Sequence, residues 1–405
     1  MNRSRARVSP RFVQLWITGV IVMHILFIAG CGTVPERKPL PQQLSQTAVV
    51  AGNPKVRYWG DEAPPYAEEW FAMSQEELQA QYPGIYGKEH TYLAISGGGA
   101  NGAFGAGLLL GWTASGTRPM FTMVTGISTG ALIAPFAFLG AAYDAPLKEI
   151  YTGVSTKDIF TPRRLLTGLT SDALTDTKPL QNLIAKYITP PVMEALATEF
   201  RKGRVLNVGT TNLDAGRPVI WNLTRIAASG YPRALELIHQ VLLASASIPV
   251  AFPPVLIEVE ADGQRYDELH VDGGGASQIF LYPLGIDWRR LAQKLKVQGT
   301  PKAYLIRNAR LQPDWKTVEP SVGSIAGRSI DSLLRTQGIG DMYRVYLGTK
   351  RDGLSYHLAH IPDDFTEQPK EPFDTEHMRK LFDLGYRLAK EASPWLKYPP
   401  GAEVE

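Results

Sequence analysis

The fold is decided by Thr91-Tyr92-Leu93-Ala94-Ile95-Ser96-Gly97-Gly98-Gly99-Ala100-Asn101-Gly102 and, one helical pattern later, Met120-Phe121-Thr122-Met123-Val124-Thr125-Gly126-Ile127-Ser128-Thr129-Gly130. Residues 91–143 contain no Asp, Glu or Lys, and Arg118 is their only permanently charged side chain. A stretch so poor in charge is mostly interior, and each polar group within it needs a partner or a task. Twice in succession an apolar run leads through glycines into a helical pattern, which is the signature of βα units around a largely parallel sheet.

The same alternation extends along the chain. Buried strands are expected at residues 91–96, 120–125, 205–211 and 303–307, and two more at 255–259 and 266–271 around an Ala261-Asp262-Gly263 turn. Helical patterns occupy 102–115, 129–143, 178–188, 192–200, 232–244 and 376–390, with a broken amphipathic pattern at 325–347 that contains Gly338 and Gly340. Residues 68–81 also read as helical, with Ser74 and Glu77 at capping-box spacing. Nothing between 88 and 395 reads as a linker, so one α/β domain is expected there, with residues 396–405 as a tail.

The amino terminus has a different character. Arg3, Arg5, Arg7 and Arg11 precede an apolar run over residues 12–30, the layout of an export signal. Cys31, the only cysteine, follows Ile28-Ala29-Gly30, and its position resembles the lipidation site of a bacterial lipoprotein signal. The run is also nearly long enough to remain as an uncleaved membrane anchor. Both readings imply export and tethering to a membrane of the cell envelope, and a single cysteine excludes an intrachain disulfide. Residues 31–87 then read as a tether with a short helical lead-in. Removal of residues 1–30 takes away four Arg and no acid, which changes the formal charge from +3 to −1 and argues against nucleic acid as a partner.

Glycine N–H groups where a strand meets a helix favour negative charge. Gly97, Gly99 and Gly102 satisfy a dinucleotide-binding spacing, but the acid expected about 20 residues on is missing, since none occurs before Asp144. No Lys-Ser or Lys-Thr pair follows the glycines, which excludes a mononucleotide P-loop. An oxyanion hole uses the same N–H groups and needs a serine nearby. Ser128, between Gly126 and Gly130 on the next strand–turn–helix junction, meets that need as a nucleophile elbow. Tight helix–strand packing is the alternative use of both glycine groups.

A serine nucleophile needs a base. Of the six histidines after residue 30, His270 stands nearest a promising context, just before Asp272-Gly273-Gly274-Gly275. Asp272 is the stronger candidate, a carboxylate over a glycine turn that leaves room for Ser128, although Asp-Gly also marks an ordinary Asx turn. An Asp of normal acidity is a weak base, so burial or contact with the nucleophile would have to raise its basicity.

Taken together, these blocks resemble the patatin-like phospholipase family, serine lipid acyl hydrolases that use a Ser–Asp dyad. The matching residues are Gly97 to Gly102, Gly126 to Gly130, Ala244-Ser245-Ala246-Ser247-Ile248-Pro249 with Phe252-Pro253-Pro254, and Asp272-Gly273-Gly274. The resemblance implies a three-layer α/β/α sandwich, Ser128 as nucleophile, Asp272 as base, and Gly97, Gly98 and Gly99 as oxyanion donors, with no metal or other cofactor. Gly102, Gly126, Gly130, Gly273 and Gly274 support those turns, while Ser245 and Ser247 read as packing. Asn101 departs from the Arg or Lys common at that position in the family, so neutral lipids and simple esters stay open beside phospholipids.

The expected function is hydrolysis of carboxylic esters of lipids through an acyl-enzyme, with no cofactor. A non-catalytic lipid- or partner-binding envelope protein on the same scaffold, and an acyltransferase using the same dyad, are the alternatives. Residues 152–189, with Phe160, Leu165, Leu166 and Leu169, are a candidate substrate-side cap, with plain packing as the alternative.

Overall fold

A computed structural model describes residues 37–163, 172–283, 285–313, 315 and 317–402. The signal segment, Cys31 and three of the cap residues (Leu165, Leu166 and Leu169) lie outside these. Nine strands make the main sheet: β1 (Arg57–Trp59), β2 (Glu89–Ile95), β3 (Met123–Ile127), β4 (Val205–Asn212), β5 (Arg217–Asn222), β6 (Val255–Ala261), β7 (Gln264–Asp272), β8 (Gln298–Arg307) and β9 (Ser355–His360). In the order β4-β3-β2-β8-β9 they run parallel. Strands β5 and β1 extend the β4 edge antiparallel, and β7 of the β6–β7 hairpin pairs antiparallel with the end of β4.

The longer helices are α1 (Ala67–Ala72), α2 (Gln75–Gln81), α3 (Gly102–Ala114), α4 (Thr129–Leu139), α5 (Asp144–Gly153), α6 (Lys178–Tyr187), α7 (Pro190–Arg201), α8 (Ala234–Ser245), α9 (Trp288–Lys294), α10 (Val322–Asp352) and α11 (Thr375–Glu391). They cover both faces of the sheet, because strand side chains alternate in direction. Leu93 and Ile95 of β2 join a core with Phe104 and Leu108 of α3, Phe136 of α4 and Phe382 of α11. Their neighbours Tyr92 and Ala94 join a second core with Met342 and Val345 of α10. The architecture is therefore a three-layer α/β/α sandwich, as expected, and its central strands are apolar on both faces for that reason.

The carboxyl-terminal part belongs to the same body. A Cβ at Gly107 of α3 would lie 1.9 Å from the Phe382 carbonyl oxygen, and one at Gly111 would lie 2.1 Å from that of Tyr386. The α3 and α11 backbones thus touch directly, which only glycine permits.

Four features differ from the sequence reading. The segment from residue 37, expected to be part of a tether, is laid against the β6–β7 hairpin: Val49 and Glu260 exchange backbone hydrogen bonds of 2.9 Å, the Lys38 amide donates to Asp267, and Arg37 pairs with Asp214. The helical stretch at 68–81 is two helices, because Ser74 caps α2 through its reciprocal bonds with Glu77. Strand β3 starts at Met123, since Met120 is exposed. The broken pattern at 325–347 is one unbroken helix, α10. Gly338 leaves room there for the Arg307 guanidinium, which a Cβ would meet at 2.5 Å. Strands β1, β5 and β9 had no counterpart in the sequence reading. Among the described residues no helix is long and apolar enough to cross a membrane.

Candidate active site

The parallel strands end together, and the two glycine turns lie side by side at that edge. At the end of β2, the Ser96 hydroxyl donates to the Gly97 carbonyl (2.7 Å) and accepts from the Asn308 amide (2.9 Å). Asn308 also donates through Nδ2 to the Ser96 carbonyl and accepts the Gly105 N–H through Oδ1. One asparagine just past β8 thereby ties the glycine loop to the start of α3. A Cβ at Gly98 would fall 2.4 Å from the Asn308 carbonyl oxygen, so no larger residue fits. The Gly97 N–H donates to the Gln278 carbonyl at 3.2 Å. Of the three glycines expected to supply oxyanion donors, Gly97 is therefore occupied, and the free amides narrow to Gly98 and Gly99.

At the end of β3, Ser128 has φ 55° and ψ −126°, a conformation costly for a residue with a side chain, about 1–3 kcal/mol. The surroundings hold it there. Its N–H donates to Ser245 Oγ (3.0 Å), whose hydroxyl donates to the Gly209 carbonyl (2.7 Å). A Cβ at Gly130 would lie 2.3 Å from the Ile95 carbonyl oxygen, and one at Gly126 would lie 2.4 Å from that of Gly130. Close backbone approach at this turn, more than dihedral freedom, requires the two glycines.

Register explains how Asp272 reaches Ser128 from 144 positions away in sequence. Ile127 of β3 is aligned with Gly209 of β4, so Ser128 follows at the level of Thr210, and Thr210 is the cross-strand partner of Asp272. The Asp272 carboxylate accepts the Gly274 N–H (2.7 Å), and the Ser128 side chain lies near enough to act on its acidity. Its own N–H donates to the Ser247 carbonyl (2.9 Å). Burial pushes its pKa up to about 6, against the smaller opposing effects of the nearby Ser128 side chain and the Gly274 N–H. The basicity that the sequence reading required of this aspartate is thus provided by desolvation.

His270 does not face the serine. It is fully buried, with Nε2 3.0 Å from Glu268 and Nδ1 2.9 Å from the Thr210 hydroxyl. Glu268 in turn pairs with buried Arg57, and Trp221 donates to Thr210. Burial lowers the His270 pKa, outweighing the adjacent Glu268, so the ring is neutral at ordinary pH. Burial raises the pKa of Glu268, but Arg57 and His270 overcome it and bring the value down to about 2. This network braces β1, β4, β5 and β7 beneath the site. Among the described residues no histidine bonds to Ser128 or Asp272, and no cluster of His, Cys, Asp or Glu has the makings of a metal site.

Several supporting residues were not singled out as functional from sequence. Gln278 bridges the two glycine clusters, its carbonyl accepting from Gly97 and its Nε2 donating to the Gly274 carbonyl (2.9 Å). Ser245, read as packing, anchors the elbow. A cavity of about 610 Å³ beside the glycine loop is lined by Gly98 and Asn101, by Arg307 and Arg335, and by the acids Asp331 and Glu367, so charge of both signs borders the loop where Asn101 supplies none. Only the tertiary fold brings these residues together, and no local motif marks them. Phe160, of the candidate cap, packs at a tilt against Phe252 and edge-on to Phe373, with ring centroids 5.5 and 6.4 Å away.

Residues 93–284 match the family model described as patatin-like phospholipase. No curated protein sequence matches the chain. Among solved structures, VipD from Legionella pneumophila aligns over 75% of this chain and 67% of its own, with 13% identity and a TM-score of 0.32. Human GIVD cytosolic phospholipase A2 aligns over 71% of this chain and 52% of its own, with 10% identity and a TM-score of 0.30.

Proposed function

Through residues 93–284 the chain belongs to the patatin-like phospholipase family, and from that premise we propose that it is a lipid acyl hydrolase that cleaves carboxylic esters with Ser128 and Asp272. Ser128 Oγ attacks the acyl carbonyl carbon as Asp272 takes its proton. The Gly98 and Gly99 amides hold the negative charge that develops on the carbonyl oxygen. The tetrahedral intermediate expels the alcohol, which leaves with the proton from Asp272, and the acyl group remains on Ser128. Water, deprotonated by Asp272, then attacks the acyl-enzyme; the bond to Ser128 Oγ breaks, Oγ takes the proton back from Asp272, and the carboxylic acid is released.

One observation carries this reading: strand register brings the buried Asp272 carboxylate, its pKa raised to about 6, to the level of a serine on a strained turn. A carboxylate in such a position can accept a proton from the nucleophile without an intervening histidine. Supporting it is the glycine loop, where a Cβ at Gly97 would lie 3.2 Å from Ser128 Cβ and Gly98 and Gly99 lead on into the start of α3. The test is hydrolysis of a chromogenic ester and of a phospholipid by the wild type, Ser128→Ala and Asp272→Asn. Loss of both activities in both variants is expected, and full activity in Ser128→Ala would defeat the mechanism.

We also propose that the chain works at a membrane of the cell envelope, held by a lipid on Cys31. The charge asymmetry of residues 1–30 and the small residues before Cys31 support this. Intact mass of the mature protein tests it, since a retained Met1 contradicts lipidation at Cys31.

A further inference from the structure

The sheet has a second functional edge. About 16 Å from Ser128 along β3, at a rise of ~3.3 Å per residue, the parallel strands begin, and the segment before β2 closes over a cavity of about 390 Å³. Its walls are aromatic and apolar: Tyr66 and Trp70 from the amino-terminal segment, Tyr92 and Met123 from the starts of β2 and β3, and Trp288 of α9. Size and lining are those of a small-molecule site.

Two polar groups in this cavity lack partners. Asn207, on β4, is 5% exposed, and its Oδ1 accepts no hydrogen bond, while Nδ2 reaches only the Met123 sulfur at 3.9 Å. Arg225 Nε is buried and donates to nothing. They share one corner, because Asn207 is the cross-strand partner of Asn222, whose Oδ1 accepts the Arg225 backbone N–H at 2.8 Å. The Arg225 guanidinium lies over the Tyr66 and Phe200 rings, 5.4 and 5.0 Å from their centroids, and forms no ion pair among the described residues. Unmet buried donors and acceptors destabilise a fold, so their presence in a cavity points to a ligand that meets them.

We propose that this cavity binds an apolar monocarboxylate that carries a hydrogen-bond donor beside its carboxylate, as a 3-hydroxy fatty acid does. The carboxylate accepts from Arg225 Nε, the hydroxyl donates to Asn207 Oδ1, and the alkyl chain lies against the aromatic wall. The site is independent of the chemistry at Ser128, and the family match begins only at residue 93, after most of the amino-terminal wall.

The test titrates 3-hydroxydodecanoic acid, dodecanoic acid and methyl 3-hydroxydodecanoate into the full chain carrying Ser128→Ala, following tryptophan fluorescence and the unfolding temperature. Saturable binding of the hydroxy acid is expected, at least tenfold tighter than that of its methyl ester. Arg225→Leu should weaken it at least tenfold, Asn207→Leu should erase the preference for the hydroxy acid over the plain acid, and Ala292→Trp should abolish binding by filling the cavity. In the wild-type background the same three changes should leave ester hydrolysis intact, which reports that each variant folds. Absence of saturable binding, or equal affinity for acid and methyl ester, overturns the proposal without recourse to any variant.

Discussion

Replacing Asp272 by Asn is expected to stabilise the folded chain at pH 8 while removing its hydrolytic activity. The folded pKa is about 6 against an ordinary 3.8. A difference of about two units, at ~1.4 kcal/mol each, makes the ionised carboxylate oppose folding by about 3 kcal/mol above pH 6. The sign follows from the direction of the shift. An acid whose pKa is raised on folding stabilises the native state below its unfolded pKa, and that contribution is lost as pH rises through the folded value. At pH 4 the residual penalty is only about 0.5 kcal/mol. Asparagine carries no charge to desolvate, and its Oδ1 can still accept the Gly274 N–H. Urea unfolding of both proteins at pH 4 and pH 8 checks this. The variant should be more stable by a few kcal/mol at pH 8 and nearly equal at pH 4. A variant that is less stable at pH 8, or that gains equally at both pH values, would refute the reasoning from desolvation.

The same pKa sets the pH profile of the reaction: kcat/KM for a neutral ester should fall about tenfold per unit below pH 6 and level off above it, because only the carboxylate is basic. Ser245→Ala removes the bonds to the Ser128 N–H and the Gly209 carbonyl, and each group left unmet costs about 1–3 kcal/mol. Denaturant unfolding should register that loss, and steady-state kinetics a lower kcat as the elbow slackens. Glu268→Gln leaves Arg57 buried without its charge partner, which should cost about 3–5 kcal/mol in unfolding free energy.

The site was more legible in the sequence than its support. Residues 91–143 disclosed themselves because a buried stretch has almost no charge, and because each strand-to-helix junction there is marked by glycines that close packing requires. Asp272 was legible through the glycines that follow it, but its raised pKa was not, since burial is a property of the folded state. Gly97 shows the converse limit: its loop was read as a donor set, yet which amides are free depends on a carbonyl from Gln278, 181 positions away. Strands β1, β5 and β9 were hidden for a related reason, as their pairing with β5, β4 and β8 respectively is set by long-range register. Gly338 misled in another way. Glycine weakens a helix locally, but here it admits the Arg307 side chain beneath an unbroken α10.

Whether Ser128 is a nucleophile activated by Asp272 is read out by mass spectrometry of the protein after reaction with a fluorophosphonate ester. One adduct per chain is expected, mapped to Ser128, absent in Ser128→Ala and formed far more slowly in Asp272→Asn. An adduct on another residue, or labelling of Asp272→Asn at the wild-type rate, would contradict it.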